Sequence, residues 1–293
     1  MIYIRYNGKY LCKQHFMEFV ERRIKKEIRK QGLPKGKIAV ALSGGKDSTL
    51  AAYMLNKILK EHRERKLVAI TIDEGIKGYR DKTIKIAKKF CDEYGIEHHI
   101  ASFKEMIGLT MDEISKRRGD LAECTYCGVF RRYVLNKVAK KLGVKVIALG
   151  HNLDDVAQTI LMNFIRNDLR RLARMAPHRR VQEGLIPRIL PLIEVPEKET
   201  TLYAYLKGFE IYEGKCPYSV RAMRGDYRKI LYMLEKEHPG TRHAILKSYQ
   251  EIEDCLAMKF PPAKLQPCQI CGEPSSQPIC MACQLKRKLQ NNR

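Results

Sequence analysis

The sequence lacks any run of twenty uncharged apolar residues, which excludes a helix able to cross a bilayer. Its first stretch, Met1 to Phe16, is polar, carries Arg5, Lys9 and Lys13, and lacks the apolar core of a secretory leader. The expected location is therefore the cytoplasm, with no membrane as partner. Acid is scarce: 33 Asp and Glu stand against 56 Lys and Arg, a net charge of +23. That imbalance points to a polyanionic partner, and nucleic acid is the commonest one. The basic residues fall in three zones, which suits a large curved partner better than one small ligand. Arg22, Arg23, Lys25, Lys26, Arg29 and Lys30 lie on an early helix. Arg166, Arg170, Arg171, Arg174, Arg179 and Arg180 crowd one stretch with His178, and Lys286, Arg287 and Lys288 stand near the end.

Ten cysteines in a reducing compartment are not a disulfide framework. Cys91 and Cys255 stand alone on helical patterns and read as small apolar residues. The other eight sit at or near metal-ligand spacings.

Phe16, Val20, Ile24 and Ile28 recur every four residues, so 16–31 reads as an amphipathic helix stopped by Gly32 and Pro34. Short apolar runs at 38–42, 67–72, 96–101 and 144–149 suit buried parallel strands. Helical patterns at 49–62, 80–94, 129–142 and 154–166 alternate with them. That order predicts an α/β fold, a doubly wound parallel sheet covered on both faces. In such sheets ligands bind at the carboxyl ends of the strands. There the sequence carries Ser43 to Ser48, Asp73-Glu74-Gly75, and Gly150 to Asp155. Residues 175–197 read as a loop-rich joint, followed by helices near 198–207, 224–237 and 243–259. The expected division is 1–32, an N-terminal helix with a partial zinc element; 33–175, the core; 176–262, a helical extension; and 263–293, a zinc-binding tail.

Ser43-Gly44-Gly45-Lys46-Asp47-Ser48 lies between a buried strand and a helix start. Its glycines let backbone N–H groups approach an anion, and the helix adds its positive end. Lys46 can neutralise phosphate, and the hydroxyls of Ser43 and Ser48 can donate to it. The G-x-x-x-x-G-K-[ST] pattern is absent, because Asp47 follows the lysine. An acid in a phosphate cradle makes sense if it helps hold Mg²⁺. The pair Asp154-Asp155 has a plainer reading, a helix start that favours negative charge, but two acids beside a phosphate site favour function.

From spacing alone, Cys124-x₂-Cys127 is a redox pair or half of a zinc site. Cys268-x₂-Cys271-x₈-Cys280-x₂-Cys283 is a strong structural Zn²⁺ signal, with Gly272, Pro274 and Pro278 for turns. A segment so short has little apolar area of its own, so metal would supply its stability. Cys12-x₂-His15 is half of a similar site.

The loop Ser43 to Ser48 resembles the signature of the N-type ATP pyrophosphatases, the adenine nucleotide alpha-hydrolase-like enzymes. The resemblance runs through Asp73-Glu74-Gly75-Ile76, Cys124-Thr125-Tyr126-Cys127-Gly128, Arg131-Arg132, Gly150-His151-Asn152-Leu153-Asp154-Asp155 and Cys216-Pro217. Together these look like the TtcA/TtuA tRNA thiolation family, and most like the cytoplasmic wobble-uridine 2-thiolation proteins of archaea and eukaryotes.

That resemblance implies ATP held by Ser43, Gly44, Gly45, Lys46, Asp47 and Ser48, with backbone contacts at Ala41 and Ile72 and with Gly150 lining the nucleotide. It implies Asp155 as a catalytic or metal-supporting acid and Arg131 as a stabiliser of the adenylate. Three thiolates, Cys124, Cys127 and Cys216, would hold a [4Fe–4S] cluster with one iron left open to carry sulfide. The reaction implied is adenylation of a uridine C2 carbonyl, then displacement of AMP by sulfur. Partners implied are tRNA, a sulfur donor (a thiocarboxylated ubiquitin-like protein or sulfide) and a second copy in a homodimer. Relatives usually carry a further Cys-x-x-Cys upstream of Cys12 and His15. Met1 to Leu11 hold no cysteine or histidine, so a start upstream of Met1 is expected.

Three alternatives make different predictions. An amidating synthetase of the same fold predicts no iron and no tRNA dependence. A non-catalytic zinc-containing RNA-binding protein predicts no ATP turnover. Thiolation of a T-loop uridine or a cytidine predicts a different modified base.

Overall fold

The computed structural model describes residues 1–177, 182–221 and 223–291. His178, Arg179 and Arg180 of the basic stretch lie outside the described residues. The chain opens on a hairpin, β1 (Ile2–Ile4) and β2 (Lys9–Leu11), that the sequence pattern does not announce. Tyr3 and Tyr10 face each other across it with ring centroids 4.5 Å apart. Helix α1 (Lys13–Gln31) follows. Phe16, Val20, Ile24 and Ile28 form its buried stripe, as their spacing predicts. Each such side chain contributes roughly 1.5–3 kcal/mol when fully buried.

The core is β3 (Gly36–Ala41), α2 (Lys46–Leu59), β4 (Arg65–Asp73), α3 (Arg80–Tyr94) and β5 (Glu97–Ser102). Two short helices come next, α4 (Phe103–Ile107) and α5 (Met111–Arg117), then α6 (Glu123–Lys141), β6 (Val144–Ala148) and α7 (Leu153–Ile165). After the one-turn α8 (Leu169–Leu172), the expected loop region holds a two-residue strand, β7 (Arg188–Ile189). Helices α9 (Glu197–Lys207), α10 (Arg224–Glu237) and α11 (Thr241–Lys259) complete the extension. The tail is a small hairpin, β8 (Gln266–Pro267) and β9 (Pro274–Ser275), followed by α12 (Met281–Asn291).

The sheet order is β5-β4-β3-β6-β7, parallel throughout. Strands β4 and β5 are added on one side of β3 and β6 and β7 on the other, so the winding reverses between β3 and β6 and the crevice at their carboxyl ends is the topological switch point. Strand alternation sorts the side chains. Ile38, Val40, Leu67 and Ala69 face one layer with α1, α2 and α9. Ala39, Val68, Ile70 and Ile72 face the other, where α6 and α12 pack. Doubly wound parallel architecture is thus as expected.

One boundary differs from the sequence expectation in a way that matters. The helix expected at 129–142 begins at Glu123, so Cys124 and Cys127 lie on its first turns rather than in a loop. Tyr126, Phe130 and Val134 form its buried stripe, at 2%, 0% and 0% exposure, and this packing carries Gly128 inside the helix.

Candidate active site

The loop after β3 is shaped by its glycines and serines. Gly44 has φ +79°, and a β-carbon there would fall 2.2 Å from the Thr83 carbonyl oxygen, so only glycine fits. The Ser48 hydroxyl receives the Ser43 backbone N–H at 3.1 Å and donates to the Gly45 carbonyl at 3.0 Å. A β-carbon on Gly150 would lie 2.7 Å from the Ser48 nitrogen; its absence lets the end of β6 press against the loop.

Of the residues named from the sequence, Ala41, Ser43, Asp47, Ile72, Gly150 and Arg131 line one cavity of about 380 Å³ at the switch point. Gly45 and Ser48 line it too. Lys46 stands beside it, held by Asp47 at 2.8 Å and by Glu197 at 3.1 Å. Burial would lower the lysine pKa, but these two carboxylates outweigh it and hold the pKa above the ordinary value. Asp47 also accepts from the Thr200 hydroxyl at 2.5 Å. Glu197 and Thr200 lie on α9, remote in sequence from the loop, and no local pattern announces them.

Arg80 is a third residue without a sequence signal. Only 4% exposed, it bonds the Ser43 carbonyl at 3.1 Å and the Ile72 carbonyl, tying the loop to the end of β4. Its charge is met by buried Glu74 at 2.6 Å. Glu74 also faces Arg131 at 3.8 Å.

The three cysteines of the expected cluster meet at the amino end of α6. Cys124 and Cys127 come from the helix, and Cys216 from the chain just before the 3₁₀ turn Pro217–Arg221. The Cys124 thiol reaches the Tyr218 carbonyl at 3.6 Å. Burial, then the nearby Cys216, pushes the Cys124 pKa up. Burial pushes Cys127 up to about 11, with Arg131 acting in the opposite direction. The sulfurs do not fall within the 4.8 Å spread that would suit a single ion. Three soft sulfur donors of this kind suit an iron–sulfur cluster.

The two acids at the start of α7 part ways. Asn152 and Asp155 form a reciprocal capping box, with Asp155 N–H donating to Asn152 at 3.1 Å. Arg224 of α10 donates to the Asp155 carbonyl at 3.1 Å. Asp154 turns to the extension, accepting from Glu197 N–H at 2.7 Å and pairing with Arg242 at 3.0 Å. Asp155 thus caps its own helix, Asp154 ties that helix to α9 and α11, and neither is among the residues lining the cavity. His151, kept below its ordinary pKa by burial, does line it.

In the tail, ligand atoms of Cys268, Cys271, Cys280 and Cys283 lie within 4.8 Å of one another. Burial would raise the Cys268 pKa, but the N–H groups of Cys280, Ile270 and Cys271 hold it at about 6, a thiol poised for metal. Cys12 caps α1, and its sulfur lies 3.3 Å from His15 Nδ1, two candidate ligands side by side.

Residues 16–232 match the PP-loop domain family. The tRNA 2-thiolation protein NcsA of Haloferax volcanii is 36% identical, over 99% of this chain and 96% of that protein. Cytoplasmic tRNA 2-thiolation protein 1 of Xenopus laevis is 39% identical, over 95% of this chain and 82% of its own length. The solved U34-tRNA thiolase NcsA of Methanococcus maripaludis, with its [4Fe–4S] cluster, superposes with a TM-score of 0.86 at 36% identity, covering 99% of this chain and 93% of that one. The chain belongs to the PP-loop family, among the tRNA 2-thiolation proteins.

Proposed function

We propose that this enzyme makes 2-thiouridine at the wobble position of tRNA, activating the C2 carbonyl with ATP before sulfur replaces its oxygen. One observation carries the reading. Helix α6 holds Cys124 and Cys127 on its first turns, and Gly128 and Arg131 next to them line the same cavity as the Ser43–Ser48 loop. Nucleotide and sulfur chemistry thus share one end of the sheet.

Activation is needed because a urea-like carbonyl is a poor electrophile and oxide a poor leaving group. The N–H groups of the loop and Lys46 would hold the nucleotide phosphates, and Asp47 would share Mg²⁺ with them. Adenylation makes AMP the leaving group. Arg131 would balance charge on the adenylate phosphate, its neighbour Glu74 fixing its direction. Cys124, Cys127 and Cys216 would hold a [4Fe–4S] cluster, which when bound supplies an iron free of protein ligands where sulfide can be presented. Asp155, through the capping box, would keep Gly150 and His151 in place against the loop.

The same reading assigns Zn²⁺ to the four tail cysteines and, with further ligands, to Cys12 and His15. It takes a thiocarboxylated ubiquitin-like protein or sulfide as sulfur donor, a homodimer as the assembly and the cytoplasm as the location. Two measurements test it together. Anaerobic purification should give protein with iron and acid-labile sulfide. Nucleoside mass spectrometry of tRNA from a deletion strain should show loss of 2-thiouridine at the wobble position. Thiolation lost at another base would move the assignment to that base, and unchanged thionucleosides would remove it.

A further inference from the structure

The charges around the cavity do not balance. Both acids that line it are engaged: Glu74 with Arg80 and Arg131, and Asp47 with Lys46 and Thr200. Arg132, on α6, and Arg188, the first residue of β7, line the same cavity. Neither makes an ion pair or a side-chain hydrogen bond among the described residues. Burial, and then the charge of Arg132, pulls the Arg188 pKa below its ordinary value. Burial, and then Arg131 and Arg171, does the same to Arg132. Like charges brought together without a counter-ion are costly unless an anion joins them.

Topology says which anion. The Ser43–Ser48 loop leads into α2, on one face of the sheet, and already offers backbone N–H groups, hydroxyls and Lys46 to nucleotide phosphates. Arg132 and Arg188 belong to the other face and to the sheet edge, two strands away from the loop strand. From there positive charge continues outward. Arg171 of α8 is near enough to act on Arg132, although it also pairs with Asp168 at 3.1 Å. Arg170 lies over the Phe260 ring at 5.5 Å. A mononucleotide whose phosphates are met by the loop would leave this basic rim unused. A polynucleotide that inserts one base must bring its backbone across that rim.

We propose that Arg132 and Arg188 form a binding site for a phosphodiester of the substrate RNA, next to the nucleotide that reacts. The inference rests on tRNA being the substrate. The test uses the full chain without ATP turnover. Binding of unmodified tRNA is followed by fluorescence anisotropy at several salt concentrations, and ATP binding by calorimetry. Arg132→Gln and Arg188→Gln should each weaken tRNA binding and lower the slope of log affinity against log salt by about one. ATP affinity should stay as in the wild type, and Arg188→Lys should keep most of the slope. Should Arg188→Gln fail to fold, Arg132→Gln, at the more exposed of the two positions, gives the same reading. Loss of ATP affinity with the tRNA slope unmoved overturns the proposal in favour of a nucleotide site. A wild type that binds tRNA, with variants that bind it equally well, overturns the arginine pair alone. A wild type that binds no tRNA overturns the substrate reading beneath it as well.

Discussion

Arg80 and Glu74 show how much of a site can rest on one buried pair. Arg80 reaches the loop and the end of β4 at once, while Glu74, 5% exposed, carries the charge that makes its burial tolerable. Arg80→Ala takes from buried Glu74 its 2.6 Å partner and leaves only Arg131 at 3.8 Å, and we expect a loss of about 3 kcal/mol in urea unfolding. A loss below 1 kcal/mol would mean that water already serves Glu74. Cys216→Ala makes a different prediction. It should abolish thiolation and bound iron while ATP affinity stays unchanged, because Cys216 is not among the residues that line the nucleotide cavity. Falling ATP affinity in that variant would make its role structural. The loop glycines, the thiols and Gly150 were legible as letters, since each type is needed for its geometry. Arg80, Glu197, Thr200 and Arg188 were not, because what gives them meaning is a neighbour far off in sequence.

Among the elements, the long helices and inner strands were readable to within a few residues, because periods of four and two register burial directly. The errors have physical causes. The helix expected at 129–142 starts six residues earlier, at Glu123, where burial of Tyr126 carries the helix through Gly128 despite that residue's low helix propensity. Strand β7 is two residues long and completes the sheet by pairing with Ile147 and Ala148, which no period can encode. Short α5 announces itself differently, through a capping box in which Thr110 and Glu113 satisfy each other's backbone N–H. Lys104 and the Thr110 N–H hold the Glu113 pKa down to about 2 from an ordinary 4.5. A depressed acid contributes stability above its unfolded pKa and loses it as pH falls through the folded value. This contribution is therefore complete above pH 4.5 and fades toward pH 2. Thr110→Ala should cost about 1 kcal/mol at neutral pH. It should also flatten the acid limb of the stability curve, and a limb as steep as the wild type would count against the box.

At the scale of the whole molecule, strand order puts the loop, Gly150 and α6 at one switch point, and this much followed from the alternation of strands and helices. How the extension returns did not. Phe209 to Cys216 carries no helix or strand, yet it brings Cys216 to two thiols about ninety residues earlier in the chain. Metal held by all three sulfurs would thus be a cross-link closing a long loop, and long loops gain the most from closure. Anaerobic, iron-loaded protein should then protect the amides of residues 209–216 from hydrogen exchange. Exposure to air should release them while the sheet stays protected. Equal exchange in both states would show that the segment is anchored without metal. If the difference is found, oxygen damage at the sulfur site would be felt first as a loosened stretch of backbone, so that integrity of the metal and the path of residues 209–216 rise and fall together.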